Sequence, residues 1–103
     1  SDSNINFPSN QLLIWNDVKK KKLGVIMFKE KILDVKVSKE AFYIMLDQKI
    51  VVFSTKECKY LLSINDVDIY RNFYISYNIN PAVLLHSCNS KPHQLKVTKC
   101  IMY

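Results

Sequence analysis

Four residues near the C-terminal end of the sequence have side chains that suit a transition metal: His86, Cys88, His93 and Cys100. Zinc sites in proteins use imidazole and thiolate ligands in closely spaced pairs. Here the spacing is His-x-Cys-x4-His-x6-Cys, which matches no strong zinc template. A loop with a core-facing cysteine accounts for these residues, so we predict no metal site and no cofactor.

Two carboxylates, Asp66 and Asp68, are the next candidates for chemistry. They are too close together and too poor in glycine for a calcium loop, so we predict that they end a strand at an exposed turn. Catalysis needs a nucleophile with a base, or paired carboxylates in a pocket. The sequence has no Gly-x-Ser-x-Gly motif, phosphate loop or nucleotide fingerprint. We therefore predict that the protein is not an enzyme.

A block of four lysines follows an apolar run and two turn formers, and the net charge is +6. The block could hold an anionic membrane or acidic protein, serve as a nuclear-localisation signal, or form the solvated end of a hairpin. We favour the hairpin end, a basic rim in the turn between two strands. Arg71 is the only arginine, whereas proteins that read bases favour arginine, so we expect no nucleic-acid partner. The block consists of Lys19, Lys20, Lys21 and Lys22.

Four aromatic residues, Trp15, Phe42, Tyr43 and Phe53, have rings that could stack on nucleic-acid bases. They lie in short runs that are apolar on both faces, which is typical of central strands. We therefore predict that they belong to the core.

Apolar residues follow a period of two along most of the chain, which indicates strands and little helix. Leu33, Val35 and Val37 alternate with polar residues, as in a half-buried strand. Residues 41–46 and 50–53 are apolar on both faces and separated by three residues, which predicts a hairpin of two buried strands. Further strands are predicted at residues 60–64, 73–77, 82–86 and 94–98.

Length and composition set the remaining limits. A chain of 103 residues is at most one small domain. It has no apolar run long enough for a membrane span and no secretory signal at its start. The three cysteines form no Cys-x-x-Cys pair and have the pattern of thiols in a reducing compartment. A cytosolic or nuclear protein is expected.

The chain contains an internal repeat. Residues 13–26 align with residues 51–64 at a shift of 38 residues, and a weaker echo links residues 33–52 to 73–97. A unit of about 40 residues and four short strands is the period of a β-propeller blade. We therefore predict an all-β, WD40-like propeller fragment with four-stranded antiparallel blades. Residues 9–28 are assigned to the last two strands of one blade, 31–64 to a complete blade and 72–103 to most of the next.

Neighbouring blades remove both faces of a blade from water, which explains strands that are apolar on both sides. A piece of about two blades would expose apolar faces and strand edges. We expect these edges to pair with further blades of a longer propeller or with another chain.

Several strings in order carry a family resemblance. They run from Asn10-Gln11-Leu12-Leu13-Ile14-Trp15-Asn16-Asp17 through the lysines to residues 32–37, 42–46, 49–53 and 59–62. This set resembles the PROPPIN family, the seven-bladed WD-repeat proteins of autophagy that bind phosphoinositides. The match corresponds to the end of the second blade, the third blade and much of the fourth. Asn80-Pro81 also resembles a PROPPIN feature, but here it follows a strand instead of preceding one.

The resemblance implies where function would lie. PROPPINs bind phosphatidylinositol 3-phosphate and 3,5-bisphosphate through a Phe/Leu-Arg-Arg-Gly motif, and this chain has no Arg-Arg, since Arg71 precedes Asn72. Lipid-binding residues are therefore expected outside this segment. The segment itself would supply scaffold and a surface for autophagy proteins, at which Lys39 and Lys59 are the matching basic positions. Ala41 stands where relatives carry a basic residue.

The function implied is a non-catalytic scaffold that docks on phagophore, endosomal or vacuolar membranes from the cytoplasm and recruits autophagy proteins. The alternative is a generic WD-repeat subunit of a nuclear or RNA-processing assembly, in which the lysines would serve nucleic acid.

Overall fold

The computed structural model describes residues 9–16, 18–71, 73–79, 81–91 and 93–100. Within these ranges the chain forms nine β-strands and no helix, which confirms the predicted all-β class. No described segment is a helix long and apolar enough to pass through a lipid bilayer. The strands are β1 (Gln11–Asn16), β2 (Lys21–Met27), β3 (Asp34–Val37), β4 (Ala41–Met45), β5 (Lys49–Ser54), β6 (Tyr60–Asn65), β7 (Phe73–Ser76), β8 (Ala82–Ser87) and β9 (Leu95–Cys100).

The described residues through Ile32 form one compact unit, which consists of the antiparallel hairpin β1–β2. Its register shifts between Ile14 and Trp15, where Ile14 pairs with Gly24 and Trp15 with Lys22. A bulge of this kind re-aims the following side chain. The prediction that Trp15 belongs to the core was wrong, because its side chain is 52% exposed.

The lysine block only partly forms the hairpin end. The turn reaches Lys20, whose φ of 52° is left-handed, and β2 begins at Lys21. Lys21 and Lys22 therefore lie in the strand and not in the predicted turn, although both are exposed. Asp17, the second of the two turn formers that precede the lysines, is outside the described residues.

The residues from Leu33 onward form the second unit, which contains two antiparallel sheets. The larger has the order β3-β4-β5-β6, so β4 and β5 are central. Every residue of β4 is buried, as expected for a strand that is apolar on both faces. The Phe42 ring stacks on the ring of its cross-strand partner Phe53, with 5.4 Å between the ring centroids. The rings of Phe53 and Tyr60 meet edge to face, with 6.0 Å between their centroids. Such pairs stabilise a sheet beyond simple area burial.

The smaller sheet has the order β7-β8-β9. Its register pairs Ile75 with Leu84 and Leu84 with Thr98. His86 is fully buried, and its two ring nitrogens lie 3.1 Å from the Ser87 carbonyl oxygen and 3.2 Å from Thr98 Oγ1. Both polar ends of the buried ring are thus satisfied.

The core of the second unit brings side chains of both sheets together. The alternation of side chains places Tyr43, Met45, Ile50 and Val52 on one face of the larger sheet. The buried cluster combines residues of the larger sheet and of β8 and β9 with one residue of the segment after β6: Ala41, Tyr43, Met45, Ile50, Val52, Ile64, Val67, Ala82, Leu84 and Cys100. The face of β7–β9 that bears Tyr74, Leu85, Leu95 and Val97 is exposed.

The sheets have two, four and three strands in chain order. Their assignment to the blade segments 9–28, 31–64 and 72–103 stays an interpretation of the repeat. Asn80 and residues 101–103 are outside the described residues, and so is part of the Asn80-Pro81 feature.

Candidate partner-binding site

The two lysines predicted to meet a partner lie at the same end of the four-stranded sheet. Lys39 lies in the β3–β4 loop, and Lys59 directly precedes β6 in the β5–β6 loop. Thr55 joins the loops, because its backbone N–H donates to the Glu40 carbonyl oxygen and its hydroxyl to that of Ser38, both at 3.1 Å. We call residues 38–40 and 54–59 together the lysine end.

The β3–β4 loop is a short turn held by Ser38. The Ser38 backbone N–H donates to the Ala41 carbonyl oxygen at 2.8 Å, and the Ser38 hydroxyl both donates to that oxygen and accepts from the Ala41 N–H. Lys39 is therefore presented on a rigid turn with its side chain exposed. A positioned lysine loses less freedom on binding than one in a mobile loop.

The β5–β6 loop turns at Cys58, whose φ is 54°. The Cys58 N–H donates to the Ser54 carbonyl oxygen at 2.9 Å, and the Ser54 N–H donates to that of Lys59 at 2.8 Å. The Lys59 ammonium lies 3.8 Å from a Glu57 carboxylate oxygen, and both side chains are largely exposed. An exposed ion pair of this kind contributes about 0–1 kcal/mol, so Lys59 is available to an acidic partner group.

A small cleft of about 140 Å³ lies beside Lys39. Ser38, Lys39 and Glu40 form one wall, and Tyr77, Asn78 and Ile79 form the other. The space suits a single side chain better than a bulky headgroup, with an ammonium and a carboxylate at its edge.

Ala41 does not belong to this surface. It is fully buried in the core of the second unit, as predicted for the apolar run at residues 41–46. Its backbone N–H and carbonyl instead hold the turn that presents Lys39.

The four candidate metal ligands of the sequence are not brought together. Within the described ranges, no three residues among His, Cys, Asp and Glu are grouped so that they could hold a metal ion. His86, Cys88 and Cys100 are buried, whereas His93 is exposed. Burial raises the pKa of the Cys100 thiol, which disfavours the thiolate that a metal requires.

Asp66 and Asp68 do not simply end a strand at an exposed turn. Asp68 is buried, its carboxylate accepts from the Tyr70 N–H at 3.1 Å, and it pairs with Arg71 Nε at 3.2 Å. Asp66 accepts hydrogen bonds from Ser90 in the β8–β9 loop. The sequence offered no local signal for the role of Asp66, because Ser90 is 24 positions away. The partners of Asp68, Tyr70 and Arg71, lie only two and three residues further along the chain.

No family model matches the sequence. The chain is similar in fold to several solved structures, among them Hsv2 and Atg21. Hsv2 of Kluyvelomyces marxianus matches with a TM-score of 0.65 and 24% identity, over 88% of this chain and 27% of that protein's chain. Atg21 (KlAtg21), solved in complex with the coiled coil of Atg16 (AgAtg16), matches with a TM-score of 0.64 and 19% identity, over 90% of this chain and 32% of that one.

Both proteins are PROPPIN β-propellers. The similarity confirms the predicted fold class and, at the level of fold, the family resemblance that the sequence carries. The chain spans about a third or less of the length of these propellers.

Proposed function

We propose that this chain is part of a PROPPIN-type scaffold that has no catalytic role and binds autophagy proteins through the lysine end. The observation that carries the proposal is the match of nearly nine-tenths of the chain to two PROPPIN structures, one of them bound to a coiled coil. The lysine end supports it, because two loops held by backbone hydrogen bonds present exposed lysines there.

The whole protein, in this proposal, binds phosphatidylinositol 3-phosphate and 3,5-bisphosphate on phagophore, endosomal or vacuolar membranes. That activity belongs to parts outside this segment. Arg71 is the only arginine of the chain, and its guanidinium is paired with the buried Asp68. It is therefore poorly placed to act as a headgroup ligand.

Titration calorimetry with the coiled coil of an Atg16-type protein tests the partner surface. We expect the chain with Lys39→Glu and Lys59→Glu to bind at least tenfold more weakly, because two of the three lysines at the lysine end are reversed in charge. Lys91→Glu together with Lys99→Glu is the matched control, since these two exposed lysines lie in the β8–β9 loop and on β9, outside the lysine end. Equal binding by both variants would refute the assignment of this surface.

Liposome flotation tests whether the lipid-binding site lies outside this segment. The 103-residue chain should float equally with vesicles that contain phosphatidylinositol or phosphatidylinositol 3-phosphate. The complete open reading frame should encode an Arg-Arg-Gly motif about two blades downstream. Selective flotation of the segment alone, or an open reading frame without that motif, would overturn the proposed location of the lipid site.

A further inference from the structure

A groove of about 440 Å³ lies between β3 and β7 in the second unit. Its lining includes Met45, which is buried, and Ile69, Phe73 and Ile75, which pack against the core. The volume falls in the range of sites that hold small ligands or single large side chains. The groove therefore combines a firm apolar base with an opening to solvent.

Four aromatic residues contribute to the lining of the groove. Tyr70, Phe73, Tyr74 and Tyr77 all line it, and Tyr70 and Tyr74 are 69% and 65% exposed. Exposed tyrosines beside an apolar floor are typical of the centre of a protein interface, because they bury a large area at a low cost in side-chain entropy.

The charges at the groove are already paired. One Asp34 carboxylate oxygen lies 3.3 Å from the Lys36 ammonium, and the other accepts the Val35 backbone N–H at 2.8 Å. The rim therefore has no net charge to attract an ion. Occupation of the Val35 N–H also makes β3 a poor edge for the addition of another strand.

We propose that this groove binds one uncharged aromatic side chain of a partner protein. The ring would stack on or edge against the tyrosines and contact the Met45 thioether, both of which favour an aromatic over an aliphatic group of similar size. The groove shares Tyr77 with the cleft beside Lys39, but its binding does not require that lysine. Either site can therefore fail without the other.

Methyl NMR of the chain labelled with [13C-methyl]methionine tests the proposal. The chain has three methionines, of which Met45 lies at the groove, Met27 is exposed on β2 and Met102 is outside the described residues. We expect N-acetyl-tryptophanamide to shift the Met45 signal saturably and to leave the Met27 signal unchanged. N-acetyl-leucinamide and N-acetyl-lysinamide should bind at least fivefold more weakly.

Tyr74→Ala should weaken N-acetyl-tryptophanamide at least fivefold, whereas Tyr60→Ala, an exposed tyrosine on β6 outside the groove, should leave its binding unchanged. The proposal is overturned if the Met45 signal does not shift, if the leucine or lysine amide binds as well as the tryptophan amide, or if both tyrosine variants behave alike.

Discussion

The backbone N–H of Ser90 donates a hydrogen bond to Asp66 Oδ1 at 2.9 Å, although the residues are 24 positions apart. The Ser90 hydroxyl donates to the other carboxylate oxygen. Nearby, the Asn89 side-chain amide donates to the Val67 carbonyl oxygen at 3.2 Å, and the Asp68 N–H donates to that of Ser87 at 3.1 Å. These bonds tie the segment after β6 to the β8–β9 loop and so join the two sheets at one end.

The Asp66–Ser90 contact should make stability depend on acid pH. The Ser90 donors hold the pKa of Asp66 below its usual value of 3.8. The contribution of the Asp66–Ser90 contact to the free energy of unfolding is therefore fully present above that value, and it is lost as the pH falls through the lower, folded-state pKa. Urea unfolding from pH 7 to pH 3 should show a difference between the native chain and Asp66→Asn that shrinks below about pH 4.

Asparagine is a suitable replacement because it tolerates the left-handed backbone of Asp66, whose φ is 59°. Ser90→Ala should reproduce part of the effect, because it removes the hydroxyl donor and keeps the backbone N–H donor. Asp47→Asn, at the exposed end of the β4–β5 hairpin, is the control. A difference between the native chain and Asp66→Asn that stays constant with pH would contradict this account.

The Tyr43 hydroxyl is a buried polar group within the apolar core. Burial and the neighbouring Cys100 thiol raise the pKa of Tyr43, whereas the Ser38 hydroxyl lowers it. Among the described residues Tyr43 Oη has no partner within hydrogen-bond geometry, although the Ser38 hydroxyl is near enough to influence its pKa. Tyr43→Phe should therefore raise the free energy of unfolding by about 1 kcal/mol.

Tyr74→Phe is the control for that measurement, because it removes a hydroxyl from an exposed ring and should change stability little. Destabilisation by Tyr43→Phe in urea unfolding would show that the hydroxyl is hydrogen-bonded in solution.

Leu84 tests the packing between the two sheets. It is fully buried in the shared cluster, so Leu84→Ala should lower the free energy of unfolding by about 2–5 kcal/mol. Leu95→Ala, on the exposed face of the same sheet, should cost less than about 1 kcal/mol. A large cost at Leu95 would show that this face is covered in solution.

The three thiols should react in a fixed order. Cys58 is partly exposed, whereas Cys88 and Cys100 are buried and the pKa of Cys100 is raised. A disulfide reagent such as DTNB should modify one thiol rapidly in the folded chain and three in urea. Cys58→Ser should remove the rapid phase, and its persistence would place another thiol at the surface.

Much of the fold follows from local alternation. The runs at residues 41–46 and 50–53 predicted the β4–β5 hairpin, because side chains that are apolar on both faces of adjacent strands require burial on both sides. The remaining strands were also placed to within a few residues, since turn-forming residues separate them. For the candidate site, the basic residues Lys39 and Lys59 came from the family resemblance, and their role stays a prediction.

The sequence by itself thus determined where the strands run, which of them are central and that hairpins connect them. Only the tertiary structure decided that Asp68 is buried, that Trp15 is exposed and that Asp66 meets Ser90. The physical reason is the separation in sequence between the residues that form each contact. A period-two pattern records the two faces of one strand, whereas contacts between sheets depend on residues brought together from distant positions, and no local pattern specifies them.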